Sequence, residues 1–131
     1  MVYGDRYIPG SLSFSTLAAS ATSTLLSGTS QTGDSIVTAT IAATTGTATH
    51  LQCQFVATSG TVVSTKPVMY ITSQPQGYHQ IVIMAVIDQL ADADLQCTNL
   101  GGVDASVAVE GVTSVVASDA ASNANLWTTT P

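Results

Sequence analysis

Apolar residues recur at every second position through most of this chain, and that period leaves little room for anything but β-structure. Val37, Ala39, Ile41 and Ala43 alternate with Thr38, Thr40 and Ala42, and Leu51, Cys53, Phe55 and Ala57 alternate with His50, Gln52 and Gln54. Successive strand side chains point to opposite faces, so each series puts one face on a core. Ser59-Gly60 turns the second series into Thr61–Thr65, Pro67 resets the chain into Val68–Thr72, and Gln74-Pro75-Gln76-Gly77 is a further turn. Leu95–Asn99, Ala105–Glu110 and Val112–Ala117 follow, and no segment has the spacing of an amphipathic helix. About eight short strands spaced in this way predict an all-β fold, an antiparallel β-sandwich of jelly-roll type.

His79–Asp88 breaks the pattern. Ile81 to Ile87 is uninterrupted and apolar, rich in β-branched residues, which predicts a strand buried on both faces. A lone sandwich normally leaves one face of each strand in water, so the second face calls for another subunit. Val82, Met84 and Val86 are therefore assigned to a subunit interface. At seven residues the run is far short of the roughly 20 needed to cross a bilayer.

Residues 1–33 read differently, as an extended N-terminal arm. Tyr3, Arg6, Tyr7 and Ile8 precede a Pro9-Gly10 turn, and Leu12 and Phe14 share one face of a short strand. A Ser/Thr/Ala stretch follows, with one helical turn expected around Leu17–Ala21. The expected organisation is an arm over 1–33, a sandwich over 34–118 and a small polar tail over 119–131 that holds Leu126 and Trp127.

Charge narrows the function. Charged residues are 8% of the chain, against about 25% in an ordinary domain, and Arg6 and Lys66 are the only Lys or Arg. Neutralising phosphates takes several cations per site, so nucleic-acid binding is excluded, as is a polybasic membrane-surface role. Ser and Thr supply more than a quarter of the residues, yet apolar types reach 45%, enough to fold rather than stay disordered. Soluble sandwiches usually guard their edges with Lys, Pro or inward charge, and these strands have almost none. Covered edges and a low-charge surface point to life inside an assembly.

Chemistry is sparse. Cys53 and Cys97 occupy core-facing positions, and two readings stay open: buried free thiols, or a disulfide joining strands 44 residues apart. His50 and His79 lack a third ligand nearby in sequence for zinc. Asp88, Asp92 and Asp94 have hard oxygens at a spacing that calcium can use, but the loop lacks the glycine of a helix-loop-helix site and reads as a polar turn. No Gly-x-Ser-x-Gly elbow or phosphate cradle occurs. Neither an enzyme, a metal nor a cofactor is expected.

The stretch Gly33–Ser118 resembles the tumour-necrosis-factor-like jelly roll found in virus and bacteriophage structural proteins. The features that carry the likeness, in order, are Ile36–Ala43, Leu51-Gln52-Cys53-Gln54-Phe55-Val56, the hairpin at Gly60-Thr61-Val62-Val63, and Gly77-Tyr78-His79-Gln80-Ile81-Val82-Ile83. The Asp-rich turn after Ile87 and Ala108-Val109-Glu110-Gly111-Val112 complete it. Two features depart from the pattern: the core is nearly free of aromatics, and the Leu90–Asp94 turn has no glycine. A short free-standing chain of this kind is similar to the capsid cement, or decoration, proteins of tailed phages. The resemblance implies a homotrimer on the outer capsid surface of a virion, bound to the major capsid protein and bridging neighbouring capsomers. It implies capsid contacts from the arm, assigned by residue type to Tyr3, Arg6, Tyr7 and Phe14. Competing expectations are a fibre or spike tip that binds a receptor, and a monomeric immunoglobulin-like adhesion module with a Cys53–Cys97 bridge.

Overall fold

A computed structural model describes residues 3–7, 12–28, 35–73, 77–88, 91–116 and 127–129. All its regular elements are strands: β1 (Tyr3–Tyr7), β2 (Ser15–Leu17), β3 (Thr22–Gly28), β4 (Ser35–Thr44), β5 (Thr49–Ser59), β6 (Val62–Ser64), β7 (Val68–Ile71), β8 (His79–Ile87), β9 (Asp92–Asn99), β10 (Ala105–Val116) and β11 (Trp127–Thr129). They form two antiparallel sheets, an all-β sandwich as the period-two reading expects. One sheet runs β1-β10-β4-β8-β6, with β2 also paired to β10, and the other runs β11-β3-β9-β5-β7.

Pairing shows how the chain is wound. β2 pairs with β10, β3 with β9, β4 with β8 and β5 with β7. Counted inward from both ends, these are the rungs of one long hairpin. It is folded over so that β10 also meets β4 and β9 meets β5. That is a jelly roll, two Greek keys in a double sheet. The inner faces supply the core, in which Leu17, Leu26, Ile41, Leu51, Ile71, Ile81, Ile83, Ile87 and Leu95 are fully buried.

The division at residue 33 is corrected. Leu17, Leu25 and Leu26 belong to the core cluster, β3 is an inner strand of its sheet, and β1 pairs with β10 from Tyr3↔Val116 to Tyr7↔Val112. The consecutive leucines hide the strand in sequence. A register shift between Thr24 and Leu26 lets both be buried, as a β-bulge does. No helical turn forms at Leu17–Ala21: Ala21 N donates to Ala18 O at 3.1 Å across a turn in which Ser20 has φ 61°. The tail is not separate either, because Trp127 lies opposite Gly28. The Pro9-Gly10 turn, residues 74–76 and residues 119–126 lie outside the described residues.

Among the described residues, eleven strands replace the expected eight for the same reasons. β1, β2, β3 and β11 are additional, while the two strands expected on either side of Gly111 are one. β10 continues from Ala105 to Val116 with a register shift between Val109 and Gly111, so the glycine belongs to a bulge and not a turn. β6 and the residues after it close one side of the sandwich. Ser64 Oγ accepts from Phe55 N at 2.9 Å and Pro67 O accepts from Cys53 N at 3.4 Å, which occupies the part of the β5 edge that β7 leaves open. Edge protection here comes from a hydroxyl and a proline carbonyl instead of charge.

Candidate functional site

The two sheets present unlike outer faces, and β8 decides the first of them. Its burial alternates strictly: Ile81, Ile83, Ala85 and Ile87 face the core, whereas Val82, Met84 and Val86 are 52%, 51% and 46% exposed. The expectation that both faces are buried therefore does not hold within one chain. The register widens the patch. Ile36 on β4 and Val63 on β6 both stand opposite Val86, giving an Ile36–Val86–Val63 row across three strands, and all three are exposed. Thr38 and Thr40 stand opposite Met84 and Val82. From these exposures the five apolar side chains offer roughly 500 Å² of surface, near the top of what single soluble chains usually show.

The other end of the same face is closed. Ala42 and Ala108, opposite one another on β4 and β10, are buried although they occupy outward positions. Phe14, just before β2, and Tyr78, just before β8, form a tilted ring pair with centroids 6.1 Å apart at this end. Gln80 Nε2 donates to both Glu110 carboxylate oxygens at 3.0 Å. Phe14 thus packs within its own chain while remaining 40% exposed. Tyr3, Arg6 and Tyr7 lie on β1, an edge strand of this sheet, with Arg6 opposite Thr113. The chain brings these three to one edge, and Phe14 enters the sheet separately through β2.

On the second sheet glutamines and threonines share the outer face with exposed apolar residues: Val68 stands opposite Gln52, Leu100 N donates to His50 O, and His50 and Tyr70 lie at one end. Their rings lie 4.9 Å apart and tilted, on opposed positions of β5 and β7. Gln52 stands opposite Thr98, and Gln54 opposite Gln96. Neither the Ile36/Val63 extension nor this aromatic pair was assigned from the sequence. Ile36 shares parity with Thr38 and Thr40, so an apolar residue on a hydroxyl row was the available signal.

Beneath the second sheet, Cys53 and Cys97 are bonded. They are directly opposed on β5 and β9, with Cα atoms 4.1 Å apart and both side chains fully buried, so the free-thiol reading is set aside. The bridge joins neighbouring strands of one sheet, unlike the sheet-to-sheet bridge of immunoglobulin domains.

The remaining candidates do not converge. His79 Nε2 is 3.2 Å from Thr72 N, Oγ1 and O, far along the chain from His50. Asp92 and Asp94 lie within β9 and not in a turn, and Asp88 is exposed beyond the end of β8. Among the described residues no three His, Cys, Asp or Glu side chains group as metal ligands. A cleft of about 330 Å³ opens between Thr16, Thr44, Thr45, Asp104 and Ser106, and Asp104 Oδ1 is engaged there by Ala19 N at 3.0 Å. Comparison with known proteins adds no relative: no protein-family model matches the chain, and neither does any curated protein.

Proposed function

We propose that this chain is a non-enzymatic structural protein of a virion, a capsid cement or decoration protein that acts as a homotrimer on the outer capsid surface. The observation that carries the reading is the uncharged Ile36–Val63–Val82–Met84–Val86 face, left open on an otherwise well-packed jelly roll. A stable interface buries about 800 Å² per partner around an apolar centre, and this face supplies such a centre with threonines as its rim. With the copies joined there, β1 and its Tyr3, Arg6 and Tyr7 provide the contacts to the major capsid protein. Phe14 contributes its exposed part.

Function then follows from mechanics. Three equivalent contacts raise one another's effective concentration, so weak individual contacts yield firm attachment. A protein that binds the assembled shell and not free subunits stabilises the shell by mass action. The buried disulfide suits a surface that meets an oxidising exterior.

That disulfide also supports a second reading, an extracellular module that works as a monomer, although its position within one sheet separates it from the immunoglobulin pattern. Co-sedimentation tests the first reading. Particles of the virus whose genome encodes the chain are stripped of it and incubated with the purified protein. Saturable pelleting, with shells that survive higher temperature, is the expected result. Protein that stays in the supernatant at saturating concentration overturns the proposal.

A further inference from the structure

We infer that the open edge of β7 is a further contact between copies of this chain, in which β7 pairs antiparallel with β7 of another copy about a twofold axis at Met69. β7 is the last strand of its sheet, with β5 on one side only. Hydrogen-bond parity shows what its other side offers. In β5, His50 O accepts from Leu100 N on the β9 side, whereas Cys53 N donates to Pro67 O on the β7 side. Backbone groups of successive strand residues point to opposite edges, so Thr49 and Leu51 bond their partners Ile71 and Met69. Val68 and Tyr70 therefore turn their N–H and C=O groups to the open edge, and among the described residues none of these groups has a partner. Such a row is a template for another strand, and charge or proline usually guards it. Lys66 and Pro67 precede the strand, but within Val68–Ile71 neither type occurs.

The edge is its own complement. About an axis at Met69, Val68 falls opposite the partner's Tyr70 and Tyr70 opposite the partner's Val68. Both are hydrogen-bonded pairs, so two copies satisfy every one of these groups at once. The rungs beyond are already engaged: Lys66 O accepts from Gln52 Nε2 at 3.4 Å, and Thr72 N and O lie 3.2 Å from His79 Nε2. Side chains agree with this register. Val68 and Tyr70 are 54% and 55% exposed, and across the axis they meet as a β-branched and aromatic pair, a favourable cross-strand combination. The His50 ring, 4.9 Å from the Tyr70 ring, braces it on the β5 side. Lys66 falls opposite the partner's Thr72 and so meets no like charge. Any strand could bond the backbone groups; a second copy also brings the apolar partner that each exposed side chain lacks. The two side chains offer roughly 200 Å², well under the about 800 Å² a side of a stable complex, so the pairing is weak in dilute solution. It takes effect where copies are already concentrated, and it rests on neither the trimer nor the capsid reading.

Cysteine cross-linking reads the register. Met69 faces the partner's Met69 in a narrow pair with Cα atoms about 4.5 Å apart, the kind of opposed position at which Cys53 and Cys97 are bonded. Val68 lies roughly 8 Å from the partner's Val68, as Tyr70 does from the partner's Tyr70, too far to bridge. Chains carrying Met69→Cys, Val68→Cys or Tyr70→Cys, with the native disulfide intact, are incubated at roughly 0.5 mM in a glutathione redox buffer and run on non-reducing gels. Met69→Cys should form a covalent dimer about tenfold faster than either control, and Tyr70→Lys added to it should remove that advantage. Amide NMR signals of the wild-type protein over roughly 0.05–2 mM cover the case of a variant that misfolds: those of Val68 and Tyr70 should shift with concentration. Signals of Val82, Met84 and Val86 report the other face separately, so failure of one contact does not hide the other. Cross-linking of Met69→Cys no faster than the controls, or wild-type signals of Val68 and Tyr70 that stay fixed, would overturn the inference and leave the edge to a strand of another protein.

Discussion

Asn99→Ala is the substitution from which the largest loss of stability is expected. The Asn99 side chain is fully buried at the end of β9 and makes four hydrogen bonds. Its Oδ1 accepts from Thr49 Oγ1 at 2.8 Å and Gly101 N at 3.0 Å, and its Nδ2 donates to Leu17 O at 3.1 Å and Val103 O at 2.7 Å. One amide therefore ties together β2, the start of β5, and the loop into β10. Alanine leaves all four partners without it. The bonds to Thr49 and Leu17 lie in the interior, where each stranded group costs about 1–3 kcal/mol, while water can reach the other two more easily. With the small void included, the loss should be about 3–5 kcal/mol, a fall in Tm of roughly 10–20 °C for a chain this long. Circular dichroism melts at one fixed protein concentration, with the disulfide intact, read this directly. Asn99→Asp keeps the shape and the oxygen that accepts from Thr49 and Gly101 but turns a second carboxylate oxygen toward the Leu17 and Val103 carbonyls, so it should cost at least as much. A loss below about 1 kcal/mol for Asn99→Ala would refute the reasoning, because the network would then not be what fixes this end of the sandwich.

Other perturbations have defined outcomes. Replacing Cys53 and Cys97 together by alanine should lower stability in urea by about 3–4 kcal/mol from the 44-residue separation, with the fold retained; an unchanged midpoint would show that the bridge contributes nothing. Gly60 has φ +73° and a Cβ there would lie 2.7 Å from Ala91 Cβ, whereas Gly46 has open space around it. Gly60→Ala should therefore cost about 1–3 kcal/mol in thermal melts while Gly46→Ala stays close to wild type, and equal melts would contradict the close approach. Val86→Asp, at an exposed position, should leave the circular dichroism spectrum and the intramolecular fold intact while reducing the assembly to monomers in sedimentation velocity. Deleting residues 1–14 should do more than remove an arm. It strips β1 from the β10 edge, so the protein should melt earlier and aggregate; an unchanged melt would show that the pairing is dispensable.

The sandwich was legible where a hydrophobic residue alternates with a polar one. β4 and β5 read cleanly because threonine and glutamine mark their outward positions, and burial follows that pattern. β8 misled because its outward residues are as apolar as its inward ones, so the period is present in the structure but invisible in composition. β3 was missed because a bulge places Leu25 and Leu26 both inside, which breaks the two-residue period. Gly111 looked like a turn, and only the pairing of β10 with β4 on both sides of it shows a bulge. The disulfide and the Asn99 network were beyond a reading of local pattern. Each joins residues brought together by register, and register is set by the whole hairpin rather than by any one strand.

The face formed by β4, β8 and β6 is either covered by copies of the same chain or left in water. Light scattering after gel filtration gives the absolute mass in solution and answers this most directly. A trimer, near three times the 13.3 kDa chain, is the predicted result. A single 13.3 kDa species that holds from micromolar to millimolar concentration would contradict it, leaving Val82, Met84 and Val86 in water and the subunit assignment without support.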